Sequence, residues 1–232
     1  PPSAALFLSG PNAGRRDMKA LEVLASLLAP PRCPVCDEVL LPGTQCAACA
    51  PALDRLAYAD CRPPCAVPGL SGLRSGWRYD GGIQEGILRM KFASRPDQAE
   101  NFILLLLSRP GMCTFVREFD IIIPVPSTKS ERRARGYDLP QLLGRALSRR
   151  TGVPAASHLQ KVRDTRRQVE LGGAERRRNL NGAFAAAGPV RGCRVLLVDD
   201  VTTTGSTLRE CAAALRRAGA ADVWGITIAA TN

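Results

Sequence analysis

The chain is 232 residues long, with 45% hydrophobic and 23% charged residues, which suits one α/β core with a small appendage. No stretch approaches the roughly 18 apolar residues of a membrane-spanning helix, so the composition predicts a cytoplasmic protein with no membrane partner. The net charge is +11 and 28 of the 32 basic residues are Arg; this fits phosphate or nucleic-acid partners, or else the codon bias of a GC-rich genome that is also rich in Ala.

Residues 1–17 are Pro-, Gly- and Ala-rich without periodicity, and Met18 is a candidate start, with the preceding residues an over-long gene boundary or a disordered leader. Leu21, Leu24, Leu27 and Leu28 recur at helical spacing until Pro30-Pro31 ends the segment. Glu22 interrupts it and no small-residue cleavage site follows, which argues against a signal peptide. Next come two C-x2-C knuckles, Cys33/Cys36 and Cys46/Cys49, nine residues apart. Four thiolates so spaced can surround Zn²⁺ tetrahedrally, and a site closed by four of them is structural rather than catalytic. Disulfides are the competing reading, disfavoured in a reducing compartment. Cys61 and Cys65 form a further pair with nothing to complete it, either a remnant of a second ribbon or two plain thiols. Cys113, Cys193 and Cys211 read as core residues.

After a linker at Pro68–Gly72, Trp77–Asp80 reads as a short strand, Ile83–Phe92 as a helix and Ala99–Leu107 as a more buried one. Asp120–Pro126 is a strand running into a polar, basic loop, Ser127–Tyr137, which is an anion-binding candidate. Leu139, Leu142, Leu143, Ala146 and Leu147 mark one face of a helix. The sole histidine, His158, reads as structural. Residues 160–182 carry six arginines around Gly172-Gly173 and read either as a mobile loop closing over a polyphosphate or as a solvated basic loop.

The most informative stretch is Arg194–Leu208, RVLLVDDVTTTGSTL. Val195–Val198 has the branching of a buried parallel strand, and Asp199 and Asp200 fall where that strand should leave the sheet. Thr202–Thr207 then offers hydroxyls and Gly205 ahead of a helix, whose free N–H groups attract an anion. The stretch therefore sets an acidic pair, suited to hydroxyls or a metal, beside a phosphate cradle. Leu208, Cys211, Ala212 and Leu215 continue as a helical stripe, Gly219 ends it, and Val223–Ala229 is a last strand.

Two acidic residues after an apolar strand, followed by T-T-T-G-S-T, resemble the phosphoribosyl-pyrophosphate (PRPP) motif of type I phosphoribosyltransferases. The cysteine knuckles, Tyr79 through Lys91-Phe92, Asp120–Pro126 with Arg135-Gly136-Tyr137, Thr165, Gln168-x2-Leu171, Arg176-x2-Asn179 and Gly182-Ala183-Phe184 extend the resemblance to one branch, the ComF family of competence-related proteins, over about residues 30–232. Asp138 replaces an expected Asn, and the second cysteine ribbon is incomplete.

The resemblance implies a parallel sheet flanked by helices, a type I phosphoribosyltransferase-like α/β fold over residues 69–232. Before it would stand a small zinc-ribbon domain at 31–68 and a leader with a short helix at 1–30. It implies that Asp199 and Asp200 take the ribose hydroxyls of PRPP and that Thr203, Thr204, Gly205, Ser206 and Thr207 take its 5′-phosphate. Lys129, Arg135, Arg163 and Arg166 would meet the pyrophosphate, with Mg²⁺ accompanying PRPP or a related phosphoribosyl ligand. Purine-salvaging relatives carry Asp at the position of Thr203, so that substrate class is disfavoured, and nothing selects an acceptor. The family also links the chain to DNA uptake. The alternative to an enzyme is thus a non-catalytic module contacting single-stranded DNA or a competence helicase, although aromatic residues are only 5% and leave few candidates for base stacking.

Overall fold

The computed structural model describes residues 30, 32–40, 46–162 and 182–231. The expected leader, the helix before Pro30 and the Arg-rich stretch that includes Arg163 and Arg166 lie outside the described residues. The elements run α1 (Ala50–Leu56), β1 (Gly72–Arg78), α2 (Gly81–Phe92), α3 (Gln98–Leu107), α4 (Met112–Val116) and β2 (Ile121–Pro124). They continue with α5 (Lys129–Arg135), α6 (Leu139–Thr151), β3 (Leu159–Lys161), β4 (Phe184–Ala186), β5 (Arg194–Thr202), α7 (Ser206–Arg217) and β6 (Asp222–Ala230). Among the described residues no helix is long and apolar enough to cross a membrane.

Four strands pair in parallel in the order β1-β6-β5-β2, so all their carboxyl ends emerge on one edge. A parallel sheet is covered on both faces, and β5 shows why its sequence is apolar throughout. Leu196 and Val198 enter one apolar cluster, with Ile87, Met90, Phe102 and Leu143 of α2, α3 and α6. Val195 and Leu197 enter the other, with Leu208, Cys211 and Leu215 of α7. The alternation is the two-residue period of a strand, and each face has its own helical cover.

Several expectations need correction. The supposed linker is bound to the sheet: Ser71 donates its N–H to Val223 (2.8 Å), and Gly72 already belongs to β1. The basic loop is largely the helix α5. Thr128 caps it by accepting from Glu131 N–H (3.0 Å), while the Glu131 carboxylate accepts from Thr128 N–H (2.7 Å), and Gly136 ends it with φ 80°. β5 does not stop before the carboxylates but runs through Asp199 and Asp200 to Thr202. β3 and β4 form an antiparallel pair of three residues each, too short to carry a periodic signal. Of the three cysteines read as core, Cys211 is fully buried but Cys113 and Cys193 are only half-buried.

Both margins of the main sheet are dressed by passing chain. At β1, Ala57 bridges Trp77 in antiparallel fashion and Tyr58 donates to Gly76 (3.1 Å). At β2, Ala155 bridges Ile122, whose N–H meets Pro154 O (2.8 Å) and whose carbonyl accepts from Ala156 (3.0 Å).

Candidate functional site

A cleft of about 690 Å³ opens at the carboxyl edge of the sheet, where ligands of open α/β sheets bind. Strand alternation sends Asp199 and Asp200 toward opposite faces of β5, yet at this edge both line the cleft. Asp200 is buried and pairs with Lys91 Nζ of α2 at 2.8 Å. Asp199 Oδ1 accepts from the Asp200 N–H (2.9 Å). Burial, then the neighbouring Asp200 charge, pushes the Asp199 carboxyl up to about 8, with Lys91 only partly offsetting them. Burial thus favours the protonated form of Asp199, beside an Asp200 carboxyl that faces the Lys91 ammonium. For Lys91, burial alone would lower the pKa, but Asp200 and then Asp199 outweigh it and hold it above its ordinary value.

Helix α2 is held along its length. Gly82 and Gly86 face the first cysteine knuckle so closely that a Cβ would come within 2.6 Å of Val35 Cγ1 and 2.1 Å of Pro34 O, respectively. The Arg89 guanidinium donates to Val35 O, and the Tyr137 hydroxyl donates to Met90 O, beside Lys91. The ammonium facing Asp200 is thus carried on a rod fixed at both ends.

The hydroxyl loop follows directly. Thr203 and Thr204 are exposed, Ser206 is buried, and Thr203 and Thr207 line the cleft. Thr204 and Ser206 share a hydrogen bond (2.9 Å), and Thr231 Oγ1 donates to Thr203 O (3.2 Å), which fixes the turn. α7 has no side-chain cap at Gly205; the Ser206 N–H donates to Thr204 Oγ1 (3.4 Å), and the N–H groups of the rest of the first turn are left for an anion. Gly205 adopts φ 68°, and a Cβ there would lie 2.5 Å from Val67 Cγ2, so glycine is required by local packing as well as by any approaching phosphate.

Of the residues expected to meet pyrophosphate, Arg135 at the end of α5 lines the cleft, with its guanidinium carbon 5.8 Å from the Phe92 ring centroid. Lys129 is exposed and does not line it, although its neighbours Thr128 and Ser130 do. Arg163 and Arg166 lie outside the described residues. Two lining cations, Lys91 and Lys161, were not picked out as site residues from sequence. The overlooked signal was scarcity: the chain has only four lysines, and two of them line this cleft while a third adjoins it. Where Arg is the default cation, a retained ammonium marks a place that wants a compact point charge.

Away from the cleft, the ligand atoms of Cys33, Cys36, Cys46 and Cys49 all lie within 4.8 Å of one another, and Cys36 and Cys46 Sγ are 3.6 Å apart. This all-sulfur set could hold a metal and fits a tetrahedral Zn²⁺. Burial pushes the Cys33 and Cys49 thiols up, so a bound cation would be needed to keep them ionised. Cys61 is buried in the adjoining apolar cluster and Cys65 packs on the other; neither joins the four. His158 is stacked against Gly188, away from the carboxylates.

A family model for the phosphoribosyl transferase domain matches residues 142–232. Over 115 residues, 46% of this chain and 49% of the relative, the sequence is 42% identical to Competence protein F of Haemophilus influenzae. It is 37% identical over 139 residues to the DNA utilization protein YhgH of Salmonella typhimurium, covering 58% of this chain and 61% of that protein. The chain thus spans about half to three-fifths of the length of these relatives. A glutamine PRPP amidotransferase structure from B. subtilis aligns at 27% identity over 55% of this chain and 25% of its own, with a TM-score of 0.38.

Proposed function

The chain belongs to the ComF family and carries its phosphoribosyltransferase-type domain, and from that premise we propose that the cleft binds PRPP with Mg²⁺ and transfers its phosphoribosyl group in the service of DNA uptake. One observation carries the reading: Asp199 and Asp200 end the central strand beside an uncapped helix start, with Lys91 2.8 Å from Asp200. A phosphate at the α7 N-terminus would place the attached ribose near the carboxylates, whose oxygens accept from its hydroxyls.

The residues divide the work by charge. Thr203, Thr207 and the first N–H groups of α7 hold the 5′-phosphate. Asp200, paired with Lys91, accepts from one ribose hydroxyl, and Asp199 serves the other. Arg135 and Lys161, which also line the cleft, would meet the leaving pyrophosphate and stabilise the charge that gathers there. The proton on Asp199 marks a place with room for more positive charge, which fits a hard cation that takes carboxylate and phosphate oxygens. When bound, Mg²⁺ would supply neutralisation of the pyrophosphate.

The test is calorimetry with PRPP and Mg²⁺, followed by pyrophosphate release across acceptors. Asp200→Asn alone is a mild probe, because Asp199 then loses a like-charged neighbour and can ionise in its place. The double variant Asp199→Asn/Asp200→Asn removes both acids and should lose one to two orders of magnitude in affinity, about 1.5–3 kcal/mol for a charge-assisted hydrogen bond. Equal binding by a folded double variant would overturn the reading.

A further inference from the structure

Among the four knuckle cysteines one position differs from the rest. Cys33, Cys46 and Cys49 are buried, whereas Cys36 is exposed, and its Sγ lies 3.6 Å from that of Cys46. A sulfur open to solvent thus has a buried sulfur within reach, and a shift of about 1.5 Å would bring the two to disulfide distance. The residues beside Cys36 also carry the attachment of the knuckle to the neighbouring helices. Gly86 of α2 packs on Pro34 O, where a Cβ would come within 2.1 Å, and Arg89 donates to Val35 O. The Asp37 carboxylate takes Arg95 Nη1 at 2.7 Å and Gln98 Nε2 of α3 at 2.9 Å. Asp37 itself holds φ 66°, an uncommon value for a non-glycine residue. A change at Cys36 is therefore felt where α2 is seated, and the far end of that helix sets Lys91 2.8 Å from Asp200.

We propose that Cys36 is an oxidation site, and that a peroxide converts the Cys36 and Cys46 pair to a disulfide that opens the metal set and loosens α2. The Cys36 thiolate attacks one peroxide oxygen, the O–O bond breaks, and a sulfenic acid forms as hydroxide leaves. The Cys46 thiolate then attacks the Cys36 sulfur and expels a second hydroxide. Two protons complete two waters, so the sulfurs lose the two electrons that the peroxide gains. A closed four-thiolate set holds its ion while reduced, but the disulfide leaves two donors, too few to keep it. Neither step involves PRPP.

The experiment takes the full chain as purified and titrates it with hydrogen peroxide. A chromogenic chelator follows zinc, a dimedone trap marks sulfenic acid, mass mapping locates cross-links, and hydrogen exchange is read over residues 81–92. Zinc should leave in proportion to the link between Cys36 and Cys46, and the first trapped sulfenic acid should be on Cys36. Exchange over α2 should rise roughly tenfold or more as its seat loosens. A thiol reductant with Zn²⁺ should reverse all of this. Replacing Cys65, Cys113 and Cys193, the half-buried thiols elsewhere, by Ser should change none of it. Cys36→His keeps four donors, three thiolates and an imidazole, but removes the exposed thiol, so it should hold zinc and slow its release by peroxide about tenfold or more. Should that variant fail to bind zinc, the trap and the cross-link map of the wild type decide alone. Protein without zinc, first oxidation at another cysteine, or zinc loss with α2 exchange unchanged would overturn the proposal.

Discussion

The carboxylate pair and the cysteine cluster pose the same electrostatic problem and answer it differently. Each crowds anionic groups that cannot all ionise unaided. At the cleft the protein provides its own cation, Lys91, 2.8 Å from Asp200, and burial favours the protonated form of Asp199. At the knuckles the neighbouring arginines are turned to other work: Arg32 donates to Asp37 O (3.0 Å), Arg89 to Val35 O, and Arg95 pairs with the Asp37 carboxylate (2.7 Å). Ionised thiolates would then have to be balanced from outside, as by a metal. The first arrangement suits exchange of ligands, the second permanent occupancy, and α2 joins them.

The largest effect should come from the metal side. Purified protein should carry about one zinc per chain, and Cys33→Ser should lose it while Cys61→Ser keeps it, as elemental analysis would show. Structural zinc in small peptides is worth about 10–16 kcal/mol of apparent binding free energy, so the knuckle should lose its fold. Because Gly82 and Gly86 rest on that knuckle, hydrogen exchange over residues 81–92 should rise in Cys33→Ser and PRPP affinity should fall. Unchanged protection of α2 would show the two regions to be independent.

Next in size is the internal cation. Lys91→Met leaves Asp200 buried without its partner, at a cost of about 3–5 kcal/mol by urea unfolding. Adding Asp200→Asn should recover much of that loss, since the carboxylate that Lys91 pairs with is then gone. Additive losses would mean that the pair does not act as a unit.

A smaller change probes the contact between the regions. Gly86→Ala puts a methyl where Pro34 O lies only 2.1 Å away, so it should cost about 1–3 kcal/mol despite the gain in helix propensity. Zinc affinity, read by competition with a chelator, should weaken with it.

A further test is by pH. Folded Asp199 ionises near 8 against about 3.9 in the unfolded chain, so between those values the folded protein holds a proton that the unfolded chain has released. The stability this contributes is complete below pH 4 and is lost as pH rises to 8. Asp199→Asn lacks the titration, so its melting temperature relative to wild type should climb from pH 5 to 8 and level off above. Each kcal/mol recovered is worth about 2–4 °C for a chain of this size. A constant difference across that range would mean that Asp199 is not strained by burial.

Much of this was legible in the sequence because it depends on local order. β5 and α7 follow from an apolar run, two acids and a glycine-bearing turn, and the cysteine grouping follows from spacing alone. Thr128-x2-Glu131 with Gly136 beyond was a visible capping box, overlooked because the arginines between them dominated the reading. Lys91 was harder: it lies 108 positions before Asp199, and only the fold brings the two together. Gly205 was read as making room for a ligand, whereas Val67, far away in the chain, also demands it. Helix faces and turns are written in neighbouring residues; the partners of a buried charge are not.

The dressed margins of the sheet restrict how this molecule can meet others. With Tyr58 bonded to Gly76 on β1 and Pro154 and Ala156 to Ile122 on β2, part of each border is already taken, which shortens the ladder of amides and carbonyls that a foreign strand could zip onto. A partner would more readily recognise side chains on the rim of the cleft or the helical faces than extend the sheet. The same covering removes the most direct route to amyloid-like stacking when the protein is crowded.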